Sequence, residues 1–192
     1  GEVGNSKERY IKLLQDSFKE MYRVLKFDKY LSIAFSHKDI GLWYEILRGC
    51  ENVGFEYLNT LYYPSYYHSF HKIKNPLRVL SGQMVITFKK VHSPKKIPLN
   101  NKIENVNEYI TGEINNIIDD TGGLSTERIF SKLIPKLLEE GIIKNDRKVD
   151  VIKILEEKFE YDSTKKVWYN SYPILKKISE SIKIEDTYTS IL

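Results

Sequence analysis

The chain holds a single cysteine, no Gly-x-Gly pattern and no long apolar run. Cys50 alone excludes an intrachain disulfide framework, and with only four histidines no Cys-based zinc site is expected. Its surroundings, Ile46-Leu-Arg-Gly-Cys-Glu-Asn-Val53, predict the buried face of a helix, where a thiol behaves as a small hydrophobe. No stretch approaches the roughly 20 apolar residues that span a bilayer, and no signal-peptide pattern is present. A cytoplasmic protein without a membrane partner is therefore expected. The first residue is Gly1 and not Met, as expected of a start set by processing or by choice. The ten glycines stand singly or as the pair Gly122-Gly123. That leaves out the glycine-rich turn through which a backbone approaches a nucleotide-like cofactor.

Apolar and charged residues make up most of the rest. With 192 residues, 41% of them apolar, the chain has room for one or two small domains. Charge divides it. Residues 1–102 carry 17 Lys and Arg against 9 Asp and Glu, a net of +8; residues 103–192 carry 13 against 17, a net of −4. The basic half suits a phosphate-bearing partner, because neutralised phosphates release counterions. The acidic half does not suit a nonspecific DNA clamp.

Ile11, Leu14, Phe18, Met21/Tyr22 and Leu25 fall at helical spacing and predict a helix over Tyr10–Leu25. Tyr30-Leu-Ser-Ile-Ala-Phe35 reads as a strand covered on both faces. Ser36 or His37 then offers an N-cap, with Asp39 in the first turn. The stripe Ile40, Trp43, Ile46-Leu47 and Cys50 predicts a second helix, which Gly54 is placed to end in a left-handed conformation. Phe55–Leu61 and Gln83–Lys89 read as two further strands.

The segments Phe18-Lys-Glu-Met-Tyr-Arg-Val-Leu-Lys26, Tyr30-Leu-Ser-Ile-Ala-Phe-Ser-His-Lys-Asp39 with Leu42-Trp43, Gly54-Phe55, Tyr62-Tyr-Pro-Ser-Tyr-Tyr67 and Leu80-Ser-Gly-Gln-Met-Val-Ile-Thr-Phe-Lys-Lys90 share an order. It resembles the late part of the catalytic domain of S-adenosylmethionine-dependent DNA amino-methyltransferases. The likeness covers residues 7–90 and departs from the family at Phe27-Asp28-Lys29, where a Pro-Gly-Gly turn is usual. The resemblance implies an α/β fold: the end of a doubly wound sheet whose last strand enters antiparallel. It also implies methyl transfer to an exocyclic amino group of adenine or cytosine. The cofactor loop and the Asp/Asn-Pro-Pro-Tyr/Phe segment that holds the flipped base are both missing. Asn75-Pro76-Leu77-Arg78 lacks the second proline and the ring, and reads as a turn. The expectation is a carboxyl-terminal part, with S-adenosylmethionine bound only by the full-length enzyme and its upstream half. No catalytic, cofactor or metal residue is expected in this chain. The other reading is a non-enzymatic DNA- or protein-binding accessory that kept a degenerate methyltransferase half.

Two spots carry candidate DNA contacts. Ser36, His37 and Lys38 follow a strand at its carboxyl end, where open α/β sheets place ligands; capping by Ser36, with His37 and Lys38 solvated, is the plain alternative. The loop Tyr62–Gly82 interleaves Tyr66 and Tyr67 with Lys72, Lys74 and Arg78, rings to stack on bases and cations to meet phosphates. Packing of the tyrosines as a lid is its alternative. His68-x-x-His71 has no third ligand nearby and is not read as a metal site.

Residues 91–102, with Pro94 and Pro98, read as a linker between domain 1–90 and domain 103–192. Beyond it, helices are predicted over Val106–Asp120, from Ser125 to Gly141, and over Lys148–Lys158. Pro135 should kink or divide the second. Phe159-Glu-Tyr-Asp162 and Val167-Trp-Tyr-Asn170 predict a hairpin. Three helices and a hairpin resemble a small α+β winged helix in architecture, not in motif. Its charges are mixed: Arg147, Lys148, Lys153, Lys158, Lys165 and Lys166 stand among Asp146, Asp150, Glu156, Glu157 and Glu160. That mixture favours packing, a homodimer or contact with a restriction partner over sequence readout. Tyr172–Leu192 yields no functional reading.

Replacing Lys72, Lys74 and Arg78 together by Ala in the intact enzyme should weaken DNA binding. Its log–log salt slope should flatten by up to roughly one unit per lost phosphate contact. Lys165→Ala with Lys166→Ala should matter less. A large loss from the hairpin pair with none from the loop triple would reverse this ranking.

Overall fold

The computed structural model describes residues 2–65, 74, 80–143 and 149–170, with side chains from Lys7 onward. Apolar residues at steps of three and four build α1 (Glu2–Val24), which starts ahead of the predicted stripe and turns Phe18 inward. Tyr30–Phe35 forms β1 within its predicted bounds. α2 (Ile40–Val53) buries Ile40, Trp43, Ile46, Leu47 and Cys50, and Gly54 ends it in the left-handed region as predicted. Neither Ser36 nor His37 is its cap. Asp39 stands directly before the first helical residue, and its carboxylate accepts from Gly41 N at 2.9 Å. β2 (Phe55–Tyr63) and β3 (Gln83–Lys90) follow, so Tyr62 and Tyr63 belong to a strand and not to the loop.

The sheet runs β1-β3-β2, with β3 antiparallel to both neighbours. β1 and β2 are therefore parallel, joined through α2, and the last strand lies between them. The expectation that β1 is covered on both faces is corrected by its alternating exposure. Leu31, Ile33 and Phe35 pack against the core, whereas Tyr30 is 59% exposed on the other face, with Leu61 at 65% and Tyr63 at 70%. Its apolar residues are real, but among the described residues no helix covers that second side.

Lys90 ends β3 on the covered face and is almost wholly buried. Its ammonium donates to Tyr22 O at 2.6 Å and to Leu25 O at 2.8 Å, beneath the Tyr22 and Phe27 rings at 4.2 and 4.7 Å. The carbonyls at a helix end lack intrahelical donors and carry partial negative charge, so a cation there meets both needs. Hydrogen bonds from a charged donor contribute roughly 1.5–3 kcal/mol each.

α3 (Val106–Asp119), α4 (Thr126–Glu139) and α5 (Val151–Lys158) are capped by Asn105, Ser125 and Asp150. Pro135 does not divide α4, which runs through it; the half-exposed site lets solvent satisfy the carbonyl that loses its donor. α5 begins at Val151 and not Lys148, because Asp150 caps it; residues 144–148 lie outside the described ones. β4 (Phe159–Asp162) and β5 (Val167–Asn170) pair as predicted. Leu124, between α3 and α4, exchanges both backbone hydrogen bonds with Trp168, at 3.1 and 2.8 Å. Trp168 is buried and donates to Thr126 Oγ1, as its anchoring role requires.

Residues 91–102 form no helix or strand, yet they are pinned on both sides. Glu51, fully buried, accepts from Ile97 N and from Arg48 Nη1, and Arg48 also donates to Ile97 O at 2.8 Å. Asn100 N donates to Gly141 O. Gly141 has φ 64°, and any Cβ there would collide with Pro98 O, so glycine is required twice over. Buried residues from α2 and the sheet through Trp168 form one continuous hydrophobic cluster.

Candidate nucleic-acid interface

Because β1 and β2 are parallel, their carboxyl ends share one end of the sheet. Phe35 and Tyr62 both lie opposite Met84 on β3, and Tyr63 lies opposite Gln83. The turn Ser36–Lys38 and both ends of the loop after β2 are thereby brought together. Tyr62 closes the mouth of that loop, its hydroxyl donating to Ser81 O at 2.9 Å. Gly82, at φ 81°, passes so close to Tyr63 O and the Tyr62 hydroxyl that a side chain would collide. Burial pushes the Tyr62 hydroxyl pKa up; Glu127 adds to this and Arg128 opposes it. Ser81 N donates to the Glu127 carboxylate, and the Arg128 guanidinium sits 5.8 Å from the Tyr62 ring centre. The first turn of α4 is therefore part of the mouth.

His37 serves the local turn. Its Nδ1 accepts from Asp39 N at 2.9 Å, and its carbonyl accepts from Trp43 Nε1 at 2.9 Å. Lys38 borders an open cleft of about 300 Å³ whose far wall is α5, with Asp150, Glu156 and Glu157 facing it. Ser36 lines a cavity of about 10 Å³ under the loop mouth with Tyr62 and Glu127. Lys74 is exposed. Tyr66, Tyr67, Lys72 and Arg78 lie outside the described residues, as do His68, His71, Asn75 and Pro76. Among the described residues no three His, Cys, Asp or Glu side chains gather as a metal site requires. Cys50 is buried and desolvation pushes its thiol pKa well up, so it stays an unreactive thiol.

Two features were not anticipated. Arg128 and Lys132, one turn apart on α4, are exposed beside the mouth. The 47 residues between Glu56 and Glu104 contain no acidic residue and eight lysines and arginines, a run visible in the sequence alone. The hairpin tip differs: its Lys165 and Lys166 share the turn with Asp162, whose carboxyl accepts from Lys165 N and Thr164 N and is held below its ordinary pKa.

Comparison with protein-family models, with curated proteins and with solved structures gives no match in any of the three. Among the described residues no helix is long and apolar enough to cross a membrane.

The turn itself is testable through Asp39. Desolvation raises its carboxyl, but Lys7 at 2.8 Å and Gly41 N together outweigh that and leave the pKa below 3.8. A depressed carboxyl contributes stability that is present above its unfolded pKa and lost as pH falls through the folded one. Asp39→Ala should cost about 0.5–2 kcal/mol at pH 7, the value of a helix cap. In denaturant titrations that deficit should shrink as pH drops below 3.8. A deficit independent of pH would show that the charge contributes nothing.

Proposed function

We propose that this chain is the carboxyl-terminal part of a DNA amino-methyltransferase, which methylates the exocyclic amino group of an extruded adenine or cytosine. The observation that carries the reading is the β1-β3-β2 order. Two parallel strands joined by a helix receive the final strand antiparallel between them, behind a helix that ends in Arg23-Val24. The helix–strand–helix–strand–strand order and the antiparallel entry of the last strand are what the resemblance implies for the end of the methyltransferase sheet. Among the described residues the outer edge of β1 is unpaired and the face bearing Tyr30, Leu61 and Tyr63 is bare. Both suit a sheet that continues in upstream residues and carries helices on its second face.

No Gly-x-Gly turn exists in the chain, and the cavity at the β1 end measures about 10 Å³. In this reading the donor binds to the upstream half. This chain holds the DNA at the carboxyl ends of its strands. The helix–bridge–helix–helix–hairpin order of the second half supports a winged-helix-like unit. Its shared core with the sheet supports a fixed brace for the loop mouth over an independent reader.

The intact protein, given tritiated S-adenosylmethionine and duplex DNA, should place label on adenine N6 or cytosine N4. This chain alone should show no methyltransferase activity, because losing such positioning costs many orders of magnitude in rate, and no specific heat with S-adenosylmethionine. Label at cytosine C5, no label at all, or micromolar donor binding by this chain would contradict the proposal.

A further inference from the structure

Resting on the DNA-contact reading above, we infer that the start of α4 is a phosphate clamp: Arg128 and Lys132 hold the backbone of duplex DNA beside the loop mouth. Both side chains are exposed on one face of α4, at i and i+4, where side chains lie roughly 5–6 Å apart. Among the described residues no carboxylate pairs with either. Among the described residues Lys132 makes no ion pair, and the Arg128 guanidinium meets the Tyr62 ring. Tyr62 is itself held by its bond to Ser81 O, so Arg128 is positioned before any ligand arrives. The neighbouring carboxylate of Glu127 is turned to the backbone of Ser81. In the sequence, the strands that frame the mouth belong to the acid-free stretch between Glu56 and Glu104.

This assigns the second half's DNA contact to a helix that winged-helix analogy would pass over. The alternatives in that half are poorer. α5 presents Asp150, Glu156 and Glu157 to the cleft beside Lys38, and the hairpin tip carries Asp162 in the same turn as its lysines. An unpaired cation attracts phosphate more strongly than one already sharing a carboxylate. Duplex DNA is the occupant because the mouth, the Ser36–Lys38 turn and Arg128 meet at one end of the sheet and Lys132 continues the line one turn along α4, an extended polyanion's footprint and not a single anion's.

The test is fluorescence anisotropy of a labelled duplex with the intact protein, from about 50 to about 200 mM salt. Arg128→Ala with Lys132→Ala should lower the log–log slope by roughly 1.8, about 0.9 for each lost phosphate contact. Arg128→Gln with Lys132→Gln, which keeps helix propensity and side-chain length, should do the same. Arg128→Lys with Lys132→Arg should retain the parental slope. An unchanged slope in both neutral variants overturns the clamp, and so does an equal loss in the charge-preserving swap, which would mark a packing role. A parent protein that binds no duplex at all overturns the DNA-contact reading itself. A parent that binds, with variants that match it, overturns the clamp alone.

Discussion

The pairing of β3 on both of its edges is the interaction on which the rest of this structure depends. A strand bonded on one side could slip or leave; one bonded to β1 and β2 together fixes their relative register through Met84, which faces Phe35 on one side and Tyr62 on the other. That register sets the distance from the Ser36–Lys38 turn to the loop mouth. At the opposite end the same strand delivers Lys90 to the last carbonyls of α1, so a single element ties helix, sheet and site together. β3 also supplies Met84, Ile86 and Phe88, buried side chains that α2 and α4 pack upon.

A second constraint joins the two halves. Arg48 and Glu51 are charged residues on the apolar face of α2, and they satisfy the backbone of Ile97. Removing one partner of such a buried pair typically costs 3–5 kcal/mol, since the other charge is left desolvated. The connecting segment is thus a fitted strap. It holds α4 alongside β2, where Tyr57 meets Glu139 at one end and Tyr62 meets Arg128 at the other. Burial raises the Tyr57 hydroxyl to about 12, so it stays protonated and keeps donating to Glu139 over the physiological range.

Local pattern made much of this legible. β1 and the hairpin strands could be bounded to the residue, because alternation and flanking turn residues mark them. Ser125 and Gly54 announced the ends of their helices by residue type. What local pattern could not tell was which of three neighbouring polar residues caps α2, since Ser36, His37 and Asp39 can all accept hydrogen bonds and only chain geometry chooses. Tyr-Leu-Ser-Ile-Ala-Phe is apolar at most positions, and composition alone does not reveal that one of its faces is uncovered. The insertion of β3 is a contact between distant segments and leaves no periodic trace. Arg128 was missed because its importance comes from Tyr62, 66 positions earlier in the chain. The acid-free run was there to be counted and would have widened the predicted surface beyond the loop.

Amide hydrogen exchange of the intact protein with and without duplex DNA tests the central claim most directly, because it reads every backbone segment at once. The account predicts slowed exchange at Ser36–Lys38, at Leu80–Met84 and in the first turns of α4, with the hairpin tip at 163–166 unchanged. Protection confined to the hairpin tip and α5, with none at the carboxyl ends of β1 and β2, would contradict it.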